Sequence, residues 1–219
     1  TFLLVHLFSH RNFAVGTAYS RTEPAQAALF GFALLGESIS LGTFVAIAIC
    51  VTGVMLISVA RTNLTFRSLV TSIGQRTALI GLASGTLFGL SAVAYRAASL
   101  SLGGPNFFVH ALITLACVIT LQTVLMLGWI LLPERGELAN ISRAWKPSLL
   151  TGIAGSLASL GWFTAMTLQN AAVVKAVAQV EMLLAFATSA LIFKEKINRI
   201  ETAGCVLIAA GVVLVVMLR

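Results

Sequence analysis

The sequence predicts an all-α fold, a polytopic bundle of membrane helices, on three observations: an apolar composition, apolar runs of similar length, and an internal repeat. Of 219 residues, 58% are hydrophobic and 10% charged, against about 25% charged in soluble domains. Seven acids and fourteen Lys plus Arg are too few to keep so large a surface dispersed in water. The expected solvent is lipid.

A helix that crosses about 30 Å of hydrocarbon at about 1.5 Å per residue needs about 20 apolar residues. Seven runs meet that length: Phe13 to Leu35, Leu41 to Ala60, Thr77 to Leu100, Phe107 to Leu132, Leu149 to Gln169, Ala171 to Phe193 and Ile200 to Leu218. Thr1 to His10 reads as the shortened end of an eighth. The chain opens without the charged region, apolar run and small-residue cleavage site of a signal peptide, and its start at Thr1 leads us to expect a missing front end.

A net charge of +7 raises the question of nucleic acid, but the distribution answers it. The basic residues gather in short loops, as Arg61, Arg67 and Arg76, then Arg135, Arg143 and Lys146, then Lys194, Lys196 and Arg199. That is how membrane spans are flanked, so no nucleic-acid partner is expected. Cys50, Cys117 and Cys205 all lie inside apolar runs and read as small packing residues.

The repeat has an offset of 158 and needs no gap: Asn12 meets Asn170, Glu23 meets Glu181, Glu37 meets Glu195, Ile39 meets Ile197, and Gly53 meets Gly211. Matches among Ala, Val and Leu carry little weight in so apolar a chain. Two glutamates at equal spacing among seven acids carry more. From the helix at Phe13 to its counterpart at Ala171 there are five steps, so equivalent helices cross in opposite directions and the repeats are inverted, an architecture of secondary transporters with a substrate site at the repeat interface. The expected organisation is residues 1–60 as the last three helices of a first repeat of five whose first two are absent, 61–76 as a basic connection, and 77–219 as a complete five-helix repeat.

The run Thr22-Glu23-Pro24, then Gly36-Glu37-Ser38-Ile39-Ser40 and Gly53, resembles the signature of the EamA domain of the drug/metabolite transporter superfamily. Val180-Glu181, Lys194-Glu195-Lys196-Ile197 and Gly211 repeat it, with departures at Met182 for Pro24 and Lys194 for Gly36. The resemblance implies ten helices in two inverted repeats that move small metabolites or drugs, and a cytoplasmic C-terminus. The nine loop Lys and Arg named above fall on one face, and the positive-inside rule would put the C-terminus on the other side.

Glu23 and Glu181 each stand eleventh in an apolar run. A charge at the centre of a membrane helix costs roughly 2.5–3.5 kcal/mol on insertion scales and so usually has a partner or a task. The bland alternative is a protonated carboxyl bonded between helices. Pro24 cannot donate to the Ser20 carbonyl, which predicts a kink there. Arg21 and Lys175 are the nearest bases, but residues two apart on a helix diverge by about 200°, so pairing across the repeats is expected: Arg21 with Glu181, and Lys175 with Glu23. The acids would bind a solute amino group or a coupling proton, and Arg21 a carboxylate. Gly81, Gly85 and Gly89 form a bare stripe for close helix packing, and Arg96 falls on the same face. Trp162, Gln26 and Gln179 are the further site candidates to line a cavity, with Gln169 able to add amide surface, and the alternative for each amide is an interhelical hydrogen bond.

His6 and His10 share a face, but no acid stands near them, and neither a phosphate-binding loop nor a serine nucleophile elbow is found. No metal, cofactor or enzymatic activity is therefore expected. Glu37 and Glu195 precede Ser40 and Asn198, which read as caps of the following helices. Pro133 to Pro147, with Trp145 beside Lys146, reads as an interfacial loop or amphipathic helix. These readings combine as an integral protein of a bacterial inner membrane, monomer or homodimer in the bilayer, moving a small polar or zwitterionic, amino-acid-like metabolite by alternating access. The rivals are a proton-coupled exporter of cationic drugs and a non-transporting membrane assembly subunit.

Overall fold

The computed structural model describes residues 13–61, 74–131, 144–192 and 198–218, with Leu3, Val5 and Lys194. The expectations for His6, His10, Arg67, Arg135, Arg143, Glu195, Lys196 and most of the connecting segments lie outside those residues. Among the described residues there are nine helices and no strand: α1 (Phe13–Ser20), α2 (Glu23–Leu35), α3 (Leu41–Arg61), α4 (Arg76–Ser101), α5 (Phe107–Leu131), α6 (Trp145–Leu168), α7 (Ala171–Val177), α8 (Val180–Leu191) and α9 (Arg199–Met217).

Among the described residues six stretches have the length and composition to cross a membrane: Leu41–Ser58, Arg76–Ser101, Phe107–Leu131, Trp145–Leu168, Ala171–Leu191 and Arg199–Met217. The all-helical membrane bundle expected from composition is the fold. Two of the seven apolar runs, however, are not single helices. Phe13 to Leu35 is divided into α1 and α2, of 8 and 13 residues, by a turn at Arg21 and Thr22. The run that begins at Ala171 is divided into α7 and α8 by a turn at Ala178 and Gln179.

The chain forms two compact units, Thr1–Ala94 with Asn170–Arg219, and Tyr95–Gln169. In the first, α3 packs most extensively on α9, its counterpart under the 158-residue offset. A Cβ placed on Gly53 would lie 2.8 Å from the Gly204 carbonyl oxygen and 2.9 Å from the Ile208 nitrogen. One on Gly211 would lie 2.9 Å from the Cys50 nitrogen and 3.1 Å from the Ala46 carbonyl oxygen. These are the same contacts twice, since subtracting 158 from Gly204, Ile208 and Gly211 gives Ala46, Cys50 and Gly53. Such reciprocal contacts characterise a two-fold, self-complementary interface. Cys50 and Ile208, themselves equivalents, meet at its middle, where the Cys50 Sγ lies 3.9 Å from the Ile208 carbonyl oxygen. Further along, the Thr43 hydroxyl donates to the Leu218 carbonyl oxygen at 3.1 Å. Numbers fall on one helix as they rise on the other, so α3 and α9 run antiparallel.

The elements before these two helices are also matched. Ser40 Oγ accepts from the Thr43 N–H at 3.1 Å at the start of α3. At the equivalent place before α9, Asn198 accepts from the Ile200 N–H at 3.2 Å and the Glu201 carboxylate accepts from the Asn198 N–H at 3.2 Å, a reciprocal capping box. The cap expected of each residue is present. Gly36, which ends α2, is left-handed at φ 65°, and so is its counterpart Lys194, at φ 51°. Only glycine adopts that conformation freely.

The second unit is built on Ala111, Leu115 and Phe163, with Tyr95, Val118 and Leu160 packed against them. The Tyr95 and Phe163 rings stack at 4.7 Å between centroids, and the Ser99 and Thr167 hydroxyls bond at 2.6 Å. Leu121, Val124 and Leu125 of α5 and Leu150 and Leu157 of α6 are exposed, as suits helix faces solvated by acyl chains.

Three predictions follow from backbone geometry. Gly53→Leu should destabilise the protein by about 1–3 kcal/mol, as overpacking does, because the new side chain meets main-chain atoms that cannot give way. Gly155→Ala, where nothing lies within 4 Å, should be neutral or stabilising by up to about 1 kcal/mol. Melting temperatures of the purified variants compare the two. Lys194→Gly should raise the melting temperature, since it relieves about 1 kcal/mol of left-handed strain; an unchanged or lower value would contradict the strain.

Candidate functional site

Both helix breaks are tight turns. The Arg21 N–H donates to the Ala18 carbonyl oxygen and the Thr22 N–H to that of Tyr19, each at 3.2 Å. The hydroxyls of Ser20 and Thr22 donate to the carbonyl oxygens of Thr17 and Tyr19 at 2.8 and 2.7 Å. The chain thus bonds the carbonyl groups that a terminating helix leaves open. Pro24 stands in the first turn of α2, where its missing N–H costs nothing because no acceptor precedes it. The expected kink at the proline is therefore a full break just ahead of it. The second break has no proline: the N–H groups of Gln179, Glu181 and Met182 donate to the carbonyl oxygens of Ala176, Ala178 and Gln179 at 3.0–3.1 Å. These are the three-residue bonds of a 3₁₀ turn.

The breaks relocate the acids. Glu23 opens α2 and Glu181 lies in the first turn of α8, so neither is the mid-helix residue that its run suggests. A carboxylate in a first turn is favoured by the helix dipole, and a cation in a last turn likewise. Lys175 lies in the last turn of α7, and Arg21 directly follows α1. Arg21 Nη1 donates to Glu181 Oε1, and Lys175 Nζ lies 2.6 Å from Glu23 Oε1. Both cross-repeat pairs expected from the sequence are made, and in each a cation at the end of one first half-helix meets an acid at the start of the other second half-helix. The Lys175 and Glu23 side chains are 17% and 19% exposed, those of Arg21 and Glu181 34% and 57%. The first pair is thus the shielded one.

The glycine stripe of α4 lies along the first break. A Cβ on Gly81 would collide with the Gly16 carbonyl. One on Gly85 would lie 2.9 Å from the Ser20 carbonyl oxygen and 3.2 Å from Gln26 Oε1, and one on Gly89 3.3 Å from the Glu23 carbonyl oxygen. The stripe packs as expected, and against the broken segment in particular. Gln26 Nε2 donates to the Thr22 hydroxyl oxygen at 2.9 Å, and Gln179 Nε2 faces the Lys175 carbonyl oxygen at 3.5 Å. Six of the eight candidates, Arg21, Glu23, Gln26, Lys175, Gln179 and Glu181, therefore belong to the two breaks in the first unit.

Arg96 and Trp162 belong to the second unit. Arg96 Nη1 donates to the carbonyl oxygens of Met166 and Gln169 at 2.7 Å and of Thr167 at 3.3 Å, a cation bonded to the carboxyl end of α6, where the dipole favours it. Trp162 is half-buried on α6 beside Phe163. Sequence reasoning did not foresee the breaks. Thr22-Glu23-Pro24 carried a signal for the first as a helix start, whereas Ala178-Gln179 carried none beyond its equivalence to Ser20-Arg21 under the offset. Among the described residues no cluster of His, Cys, Asp and Glu has the makings of a metal site.

The difference in shielding makes the pairs separable. Lys175→Met should cost more stability than Arg21→Met, since it leaves a buried carboxylate unpaired, an effect of about 3–5 kcal/mol when burial is complete. The exchange Arg21→Glu with Glu181→Arg should recover part of what each single change loses. Thermal melts of the four proteins give the coupling, and losses additive within about 0.5 kcal/mol would deny that Arg21 and Glu181 interact.

Residues 75–217, well over half of the chain, match the EamA-like transporter family. No curated protein and no solved structure matches. With six apolar stretches among the described residues long enough to span a bilayer and that family's pattern over residues 75–217, the chain is an integral membrane protein and belongs to the EamA-like transporter family.

Proposed function

We propose that the chain moves a small polar or zwitterionic, amino-acid-like metabolite across a bacterial inner membrane by alternating access, with the solute bound at the two helix breaks. One observation carries the reading. The breaks fall at positions equivalent under the repeat, and each is followed by an acid that pairs with a base from the other copy. A regular membrane helix has no backbone polarity to offer a solute, while a discontinuous one has helix ends whose dipoles and free backbone groups face a cavity. The antiparallel, reciprocal crossing of α3 and α9 supports an inverted relation between the two repeats.

In this reading Glu23 and Glu181 hold a solute ammonium and Arg21 its carboxylate. The resting ion pairs keep these groups neutralised until a zwitterion supplies both charges. Exchange of partners, with the net charge unchanged, gives the solute a path in which no charge is stranded in low dielectric. The mechanism is conformational, and no covalent step is involved.

The test is uptake of labelled amino acids by proteoliposomes that contain the purified protein. Accumulation above that of empty vesicles is expected, and Glu23→Gln or Glu181→Gln should lower it by about tenfold or more, the loss of one charged hydrogen bond. Absence of flux for amino acids of every side-chain class would overturn the reading.

A further inference from the structure

The two ion pairs leave the breaks electrically satisfied, and their unmet hydrogen-bonding capacity is of a different kind. Gln26 Oε1 and Gln179 Oε1 are buried acceptors with no hydrogen-bond partner, and Gln179 is only 6% exposed. They come from the two breaks: Gln26 lies three residues beyond Glu23, and Gln179 two residues before Glu181. Buried amide oxygens are ordinarily bonded, and one that is not destabilises the fold.

Neither can be relieved by turning the amide over. The Thr22 hydroxyl spends its proton on the Tyr19 carbonyl oxygen at 2.7 Å, so toward Gln26 Nε2, at 2.9 Å, it can only accept. Turning the amide would set oxygen against oxygen. Gln179 is held in the same sense, because its Nε2 faces the Lys175 carbonyl oxygen, which is an acceptor only. The nitrogen of each amide is thereby fixed, and the oxygen with it. Gly85 lies beside one of them: a Cβ there would stand 3.2 Å from Gln26 Oε1, closer than a side chain ordinarily approaches. The hydroxyl oxygens of Thr77, Ser84 and Thr114 are also buried without a partner. A hydroxyl, however, rotates and can donate to the carbonyl one turn back, a recourse that an amide oxygen lacks.

We infer that the solute is read by its hydrogen-bond donors, with Gln26 Oε1 and Gln179 Oε1 as the acceptors that take them. The class this selects is a small solute with at least two N–H groups on one end, a primary ammonium or a carboxamide. A fully N-methylated ammonium is rejected: it has the same charge but no donor, and would leave both oxygens unmet. The inference rests on the transport reading for its physiological meaning, but it makes a claim about the empty protein that does not. Acceptors held unsatisfied for a ligand weaken the unliganded fold, so their removal should strengthen it.

The experiment compares the wild-type protein with Gln26→Met and Gln179→Met, near-isosteric changes that delete the acceptor. Each is melted without ligand and assayed in proteoliposomes with glycine, alanine and N-trimethylglycine as probes. Both variants should melt about 2–4 °C higher than the wild type and take up glycine and alanine about tenfold more slowly. The wild type should take up N-trimethylglycine at least about tenfold more slowly than glycine. Lower melting temperatures in both variants would overturn the inference, because the oxygens would then be part of the packing. Undiminished uptake in both, or equal uptake of glycine and N-trimethylglycine, would overturn it as well. Wild-type vesicles that take up none of the probes would count against the transport reading instead, and the melting comparison would still decide whether the two oxygens are held unsatisfied.

Discussion

A backbone in hydrocarbon has no water to bond its amides and carbonyls, and that constraint governs where this chain can interrupt a helix. Each interruption has to close its own carbonyl groups within a few residues. At the first, tight backbone turns and the hydroxyls of Ser20 and Thr22 do so; at the second, backbone turns around Ala178 and Gln179 suffice. Neither Thr22 nor Gln179 makes a side-chain cap bond to the helix that follows. Carboxylates stand in the first turns of α2 and α8 instead, where the helix dipole favours them, and the polar chemistry of the first unit gathers there.

Charge follows from the same arrangement. Half-helices present a negative end and then a positive start within two or three residues, so a base before the break and an acid after it are each favoured locally. Their partners come from the other copy, Glu181 for Arg21 and Lys175 for Glu23. With the charges so paired, the amide oxygens of Gln26 and Gln179 are buried acceptors at the two breaks that no hydrogen bond satisfies.

Close approach of helices fixes the surroundings. Gly53, Gly204 and Gly211 bring the backbones of α3 and α9 together, and Gly81, Gly85 and Gly89 bring α4 against the first break. Without a hydrophobic force between helices in lipid, packing of this kind and hydrogen bonds between helices supply the association. The second unit uses another device: Arg96 is spent on the carboxyl end of α6, and an aromatic stack and a hydroxyl pair hold α4 to α6 beside it.

The amino-acid sequence by itself determined the solvent, the helical class and the ends of most helices, because apolar run length and capping residues such as Ser40 and Asn198 act locally. It also contained the repeat, and in the opposite charges of the two copies the pairing of Arg21 with Glu181 and of Lys175 with Glu23. It could not show the second break, since Ala171 to Leu191 has no glycine or proline to mark a stop. Nor could it place Arg96, whose position on the glycine face of α4 fits a cavity as well as it fits a helix end. Those outcomes rest on where carbonyl oxygens from distant segments come to lie, Met166 and Gln169 for Arg96 and Ser20 for Gly85. Backbone acceptors carry no mark of residue type, so only the tertiary structure, which sets their positions, decides which side chains they claim.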